Sequence, residues 1–225
     1  MSLSSNNSTR MDTKTITSLA MLTALAYIVM LMCKSLPQVS GFLQFDLTDT
    51  VICIGGCIFG PMSAAIISIL IGLLDTMSDG GTGPIGMLMN IISSASFSCT
   101  ASYIYKRRHT KNGAVVSLAV AVAVMTAVML LWNFLITPIY QKVPRDVVAA
   151  MLPTVFLPFN AVKGGLNMAL TLLLYKPIVN AMRGAHLAPP SKSSHGKKMN
   201  GGMLLFAVAL LITFGTLALV LADVI

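Results

Sequence analysis

Residues 47–79 read LTDTVICIGGCIFGPMSAAIISILIGLLDTMSD, an apolar stretch that is interrupted at Gly60-Pro61. Proline disfavours helical geometry in the residue before it and suits the first position of a helix. We therefore predict two helices here, Leu47–Phe59 and Pro61–Asp79, with Gly60 ending the first. This break sets the number of helices and the direction in which every later helix runs.

The composition indicates a membrane protein. Hydrophobic residues make up 56% of the 225 residues and charged residues only 10%, whereas soluble domains carry about 25% charged residues. A helix of about 20 mostly apolar residues can cross the hydrocarbon core of a bilayer. Besides the two helices around the break, such spans are predicted at Ile16–Met32, Pro84–Tyr105, Ala114–Tyr140, Pro158–Ile178 and Met203–Ala222. The prediction is an all-α, multi-pass bundle of seven membrane helices.

The placement of basic residues supports this count. With the N-terminus in the cytoplasm, most of the 15 Lys and Arg residues fall in inner segments, as is typical of cytoplasmic loops. Merging the two helices at the break would place the basic run Lys106–Lys111 outside. We therefore expect a cytoplasmic N-terminus and an extracellular C-terminus. We interpret the net charge of +8 as basic loops beside anionic lipid, and we expect no nucleic-acid partner.

Composition divides the chain into four parts. Residues 1–15 form a cytoplasmic tail, and residues 16–183 form a six-helix membrane domain. Residues 184–202 are rich in Gly, Ser, Pro and Lys and are expected to form a flexible cytoplasmic linker. Residues 203–225 form an additional transmembrane helix, which has no polar stripe and is expected to lie at the lipid-facing periphery.

The residue types argue against an enzyme. All seven acidic residues are Asp, the four Cys include no CxxC pair, and the three His (His109, His186 and His195) lie in predicted inner loops. An intramembrane enzyme needs a nucleophile and base, or metal ligands, at membrane depth. We therefore expect no catalytic residues, no metal and no cofactor.

Polar side chains recur at helical spacing within the apolar spans. They are Asn90 on one predicted helix, Asn133, Thr137 and Tyr140 on another, and Asn160, Lys163 and Asn167 on a third. A lysine near the membrane centre costs about 3 kcal/mol to insert. The alternatives are snorkelling of Lys163 to the outer interface and hydrogen bonding of the amides between helices. As a set, these residues predict a pocket for a largely neutral heterocycle with a polyhydroxylated tail.

Two acidic residues lie at the start of the second helix. Asp46 in the N-cap position and Asp49 three residues later resemble a capping box, with Asp in the usual place of Glu. We expect Asp49 to have this capping role. Asp46 could cap the helix or hydrogen-bond a ligand at the mouth of the pocket.

Two pairs of small residues are spaced for close helix packing. Ala20 and Ala24 form such a pair on the first helix, and Gly56 and Gly60 form one on the second. This spacing lets two helices approach closely. Packing within the bundle and docking of a partner subunit are both compatible with it.

Five stretches give the chain a family resemblance. In order, they are FLQFDLTD (42–49), GGCIFGP (55–61), GPIGMLMN (83–90), NFLITPIY (133–140) and LPFNAVKGGLN (157–167). Together they resemble the riboflavin-binding S components of energy-coupling factor (ECF) vitamin transporters. The resemblance runs from about Ile16 to Ile178 and implies a six-helix S-component core, with the linker and the seventh helix outside it.

The resemblance implies a function and a site. Proteins of this family bind their vitamin with high affinity at the extracellular side. The resemblance implies that Asn133, Asn160 and Lys163 hydrogen-bond riboflavin, the transported substrate. It also implies that the loop ending at Leu43–Asp46 helps to close the site.

The resemblance also implies partners. Such proteins pair with a transmembrane coupling subunit and two cytoplasmic ATPases, and Ala20 and Ala24 match the contact with the coupling subunit. An S component for pantothenate, thiamine or folate is the alternative. Asp75 departs from the family, in which a neutral or basic residue is expected.

Overall fold

The computed structural model describes residues 12–36, 38–40, 43–79, 83–108, 110–189 and 201–222. The described helices are α1 (Thr13–Cys33), α2 (Thr48–Phe59), α3 (Pro61–Asp79), α4 (Gly83–Arg107), α5 (Lys111–Gln141), α6 (Arg145–Met151), α7 (Leu157–Gly184) and α8 (Gly201–Leu221). A short antiparallel pair, β1 (Gln38–Val39) and β2 (Leu43–Gln44), lies between α1 and α2. The predicted all-α membrane bundle is confirmed.

Parts of the predicted organisation lie outside the described residues. These parts are residues 1–11 of the predicted tail, residues 190–200 of the predicted linker, residues 223–225, and the two histidines His109 and His195.

The break between α2 and α3 is confirmed. Gly60 has φ +107° and ψ 168°, a conformation that residues with a side chain rarely adopt, and Pro61 is the first residue of α3. The Gly60 amide donates to the Gly56 carbonyl at 2.7 Å, and the Gly60 carbonyl accepts from the amide of Ser63 at 3.1 Å. Gly60 therefore closes one helix and opens the next, and α3 packs against α2.

The connection between α5 and α7 differs from the prediction. The sequence predicts a loop between Tyr140 and Pro158, but the chain is non-helical only at residues 142–144. From there α6, a π-helical turn (Leu152–Phe156) and α7 form one 40-residue helix, Arg145–Gly184. A helix start was predicted at Pro158, but this proline is the second residue of α7 within the continuous helix. The π turn before it contains Pro153, and its wider hydrogen-bonding pattern suits a proline, which lacks an N–H.

The described helices differ in their capacity to cross a membrane. Five are long and apolar enough, namely Thr13–Cys33, Pro61–Ser78, Asn112–Gln141, Arg145–Gly184 and Gly201–Leu221. Helix α2 has only 12 residues, fewer than the about 20 that a span needs. Helix α4 has 25 residues, but its serines and Asn90 lower its hydropathy. The two helices that are too short or too polar for this criterion, α2 and α4, pack against each other within the bundle. Helix α4 also contacts α3 and α5.

Small residues on α2 serve packing within the bundle. A Cβ on Gly56 would collide with Ser102 of α4 and would lie 2.8 Å from Cβ of Ala64 in α3. Gly56 is buried, whereas Ala20 and Ala24 of α1 are exposed. The structure therefore assigns Gly56 to internal packing and leaves Ala20 and Ala24 on the outer face of the bundle.

Helix α8 packs chiefly against α7. The ring of Phe214 lies over Gly165, where a Cβ would be 2.5 Å from three ring atoms. Most of the remaining surface of α8 points outward, and Leu205 is 72% exposed. This peripheral position agrees with the expectation from its uniformly apolar sequence.

Candidate ligand-binding site

A cavity of about 360 Å³ opens at one end of the bundle. It lies between the C-terminal parts of α1, α3 and α5, the N-terminal parts of α4 and α7, and the β1–β2 hairpin. Seven of the nine predicted binding residues line it, namely Leu43, Asn90, Asn133, Thr137, Tyr140, Asn160 and Lys163. Apolar side chains, including Met89, Met129, Trp132, Ile136 and Phe159, complete the wall.

Lys163 is buried within the bundle. Its side chain is only 7% exposed and lines the cavity, so it does not snorkel to the surface of the protein. The next residue, Gly164, brings α7 close to α5, because a Cβ there would lie 2.9 Å from Cγ1 of Val122. Lys163 therefore lines the cavity from a closely packed part of α7 and does not face lipid.

The two site asparagines are held by their own helices. Asn133 donates to the Met129 carbonyl at 2.8 Å and accepts from the Thr137 hydroxyl at 3.0 Å. Asn160 donates to the carbonyl of Phe156, the last residue of the π turn, at 2.7 Å. Each amide keeps a second N–H and further acceptor capacity. Both amides therefore form hydrogen bonds within their own helix and not between helices. These bonds orient the amide groups at the cavity, where they have capacity left for a ligand.

Two predicted binding residues lie away from the cavity wall. The Asp46 carboxylate accepts from the Thr48 amide at 2.8 Å and also from the Thr48 hydroxyl. Asn167 accepts from the Thr50 amide at 2.9 Å and donates to the Asp46 carbonyl at 2.8 Å. Both side chains therefore satisfy backbone groups at the start of α2 instead of facing the cavity.

The capping role expected of Asp49 was wrong. The N-cap of α2 is Leu47, which makes Asp49 the second helical residue instead of the third. The side chain of Asp is also one methylene shorter than that of Glu, so it reaches back less far. The Asp49 carboxylate is completely buried, and its oxygens accept no hydrogen bond from the described residues.

A charged pair in the cavity wall was not predicted. The Lys34 ammonium lies 3.0 Å from Oδ1 of Asp75, and Asn90 donates to Oδ2 of Asp75 at 2.8 Å. In the sequence, Lys34 and Asp75 are single charges near the ends of apolar spans, where charged residues are common. Nothing in their spacing indicates that they meet.

The β1–β2 hairpin covers one side of the cavity. Val39 pairs with Leu43, and Gln44 donates to the Cys33 carbonyl at 3.1 Å, which ties the hairpin to the end of α1. Directly after the hairpin, the ring of Phe45 packs 5.0 Å from the ring of Phe159 on α7. The segment from Leu43 is thus anchored to two helices that line the cavity.

The site has the chemistry of a binding pocket for a small organic molecule. Its volume lies in the usual range for ligand sites, and a few polar groups stand among apolar and aromatic side chains. Across the described residues, no group of three or more His, Cys, Asp or Glu side chains could hold a metal ion.

A membrane bundle with such a pocket has the architecture of a membrane protein that binds a small molecule, as the substrate-binding subunits of transporters do. The family model for the substrate-specific component of ECF transporters matches residues 14–175, and the chain belongs to this family. The resemblance noted in the sequence is therefore confirmed.

The similar proteins include named transporters and a solved structure. "Riboflavin transporter FmnP" of Bacillus subtilis is 25% identical over 79% of this chain and 100% of its own length. "Riboflavin transporter RibU" of Staphylococcus aureus is 27% identical over 76% of this chain and 93% of its own. A solved S component of a bacterial ECF transporter matches with a TM-score of 0.63 and 27% identity, covering 76% of this chain and 98% of that one.

Proposed function

We propose that this protein is the high-affinity riboflavin-binding subunit of an ATP-driven ECF vitamin importer. The observation that carries the proposal is a buried lysine, Lys163, lining a cavity together with Asn133 and Asn160. A buried ionisable residue in a membrane bundle is costly and is typical of a substrate site. Similarity to two riboflavin transporters supports the choice of vitamin.

The lining suits the two halves of riboflavin. We propose that the polar edge of the flat flavin ring binds Lys163, Asn133 and Asn160, which offer both hydrogen-bond donors and acceptors. Trp132 and Phe159 offer aromatic faces to the ring. The ribityl hydroxyls would then bind other polar residues of the lining, such as Asn90, Gln38 and Gln44.

The proposed transporter includes partner subunits. A transmembrane coupling subunit with two ATPases would supply the energy for release of the vitamin into the cell. The exposed Ala20 and Ala24 of α1 provide a small-residue face that permits close approach of another helix. With the basic loops in the cytoplasm, the cavity would open to the extracellular side and the C-terminus would lie outside the cell.

The test is a titration of purified protein with a panel of vitamins. Trp132 is the only tryptophan of the chain and lines the cavity, so a bound flavin should quench its emission by energy transfer. Free N-acetyltryptophanamide, titrated in parallel, corrects for absorption of light by riboflavin. Calorimetry with riboflavin, pantothenate, thiamine and folate gives an independent affinity for each.

Two results are decisive. Saturable quenching by riboflavin, with a matching calorimetric affinity, supports the proposal. Unchanged Trp132 emission at saturating riboflavin, together with calorimetric binding of pantothenate, thiamine or folate, would instead establish an S component for another vitamin.

A further inference from the structure

We infer that Asp75 determines ligand specificity by excluding anionic ligands, so that the site accepts riboflavin and rejects riboflavin 5′-phosphate. This inference rests on the proposed function and goes further, because it names the charge state of the ligand tail. The evidence is the Lys34–Asp75 ion pair in the cavity wall.

Three separate parts of the chain build this wall. Lys34 directly follows α1, Asp75 belongs to α3, and Asn90 belongs to α4. Both oxygens of the Asp75 carboxylate have partners, the Lys34 ammonium at 3.0 Å and the Asn90 amide at 2.8 Å. The Lys34 and Asp75 side chains are only 22% and 17% exposed, so the pair is partly shielded from solvent. Shielding of this kind strengthens electrostatic effects.

Asp75 changes the charge that the cavity presents to a ligand. The charged residues of the cavity wall are Lys34, Asp75 and Lys163. Without the carboxylate, two lysines and several amides would surround the ligand, a set typical of an anion site. With the Asp75 carboxylate present, the positive charge of Lys34 is neutralised locally. The cationic character of the cavity is then concentrated at Lys163 on α7.

A ligand tail next to Asp75 is selected by its charge. The carboxylate accepts hydrogen bonds and donates none, so ribityl hydroxyls can donate to it. A phosphate group carries a charge of about −1.5 to −2 at pH 7 and is repelled by the carboxylate. Binding of the phosphate to Lys34 would bring it close to the Asp75 carboxylate, which lies 3.0 Å from the same ammonium group. A binding site commonly achieves specificity by placing a group that repels the competing ligand, here the phosphate form.

The test compares the affinities for riboflavin and for riboflavin 5′-phosphate in the full-length protein. We expect the unmodified protein to prefer riboflavin at least about tenfold. Asp75→Asn keeps the size and an acceptor for Asn90 while removing the charge. It should weaken riboflavin binding a few-fold and strengthen binding of the phosphate about tenfold, so the two ligands respond in opposite directions.

A second variant should shift the preference the other way. Lys34→Gln leaves the Asp75 carboxylate without its cation and should weaken phosphate binding about tenfold more than riboflavin binding. The double variant Lys34→Gln with Asp75→Asn should lie between the two single variants. Asp146→Asn, which removes an exposed charge on α6 away from the cavity, is the control and should leave the preference unchanged.

The outcomes separate this inference from the proposed function. Equal affinities of the unmodified protein for the two ligands would overturn the role of Asp75. An equal change in both affinities in the Asp75→Asn variant would also overturn it. If Asp75→Asn does not fold, the Lys34→Gln variant decides alone, and an unchanged preference there overturns the inference. A complete absence of riboflavin binding would contradict the proposed function instead.

Discussion

The side-chain oxygen of Asn167 in α7 lies 2.9 Å from the backbone nitrogen of Thr50 in α2, although the two residues are 117 positions apart. The first amides of a helix have no partner within the helix and need one from elsewhere. Asn167 supplies a partner to the Thr50 amide, which also donates to the Leu47 carbonyl at 3.1 Å. The Asn167 amide group donates to the carbonyl of Asp46. Because Lys163 lies one turn earlier on α7, this contact also fixes the lysine relative to the loop that covers the cavity.

Asn167→Ala should destabilise the protein without removing a ligand contact. The substitution removes the side-chain partner of the Thr50 amide and hydroxyl and of the Asp46 carbonyl, although the Thr50 amide keeps its bond to the Leu47 carbonyl at 3.1 Å. A buried polar group left without a partner costs about 1–3 kcal/mol. A clear fall in the melting temperature of the detergent-solubilised protein is therefore expected. Asn112→Ala, at an exposed position early in α5, is the matched control. Equal melting temperatures of the two variants would contradict the structural role.

Lys163→Gln should reduce riboflavin affinity at least about tenfold while the protein still folds. The variant keeps a hydrogen-bond donor but loses the charge, and charge-assisted hydrogen bonds are roughly twice as strong as neutral ones. Calorimetry measures the loss. The control is Lys142→Gln, at an exposed lysine just after α5. Failure to fold in place of lost affinity would show that Lys163 is structural.

Thr137→Val should weaken riboflavin binding less than Asn133→Ala. The valine removes the hydroxyl that donates to the Asn133 side chain at 3.0 Å, so the amide is less well oriented but still present. One neutral hydrogen bond contributes about 0.5–1.5 kcal/mol, which corresponds to a loss of affinity of about two- to tenfold. Titrations of Trp132 emission with the two variants test the order, and a larger effect of Thr137→Val would contradict it.

Phe214→Ala should lower thermal stability and leave riboflavin affinity unchanged. The residue packs on Gly165, on the side of α7 that contacts α8, and no residue of α8 lines the cavity in the described structure. Lipid can replace part of the lost contact, so the cost should be below the about 3–5 kcal/mol typical of a water-soluble core. Leu205→Ala, at a 72% exposed position, should have little effect on stability. A large change in affinity in the Phe214 variant would imply that α8 influences the site.

Substituting both Ala20 and Ala24 by Leu should prevent assembly with the coupling subunit while riboflavin still binds. Both alanines are exposed, so the larger side chains enlarge the outer face of α1 without disturbing the core. Co-purification with the coupling subunit and the ATPases measures assembly. Ala209→Leu, at an exposed position on α8, is the control. Normal assembly of the double variant would place the partner elsewhere.

Local features of the sequence were sufficient to predict most of the helices. The lengths of the apolar spans and the Gly60-Pro61 break indicated the all-α membrane bundle, because both act on the backbone close to where they occur. Helical spacing also placed Asn160 and Lys163 on one face of a helix. The same local reasoning failed between α5 and α7, since Pro158 predicted a helix start, whereas the helix continues into it from a preceding π turn.

The tertiary structure decided which polar groups meet. Lys34, directly after α1, pairs with Asp75 of α3, and Asn167 of α7 bonds to the start of α2. Local spacing in the sequence indicates neither contact. Periodicity describes the faces of a single helix, whereas a contact between helices depends on how those faces are rotated and packed against each other. The sequence by itself therefore determined the membrane class, most of the helices and the polar helix face that carries Lys163. Packing alone decided that Asn167 caps α2 and that Asp75 stands in the cavity wall.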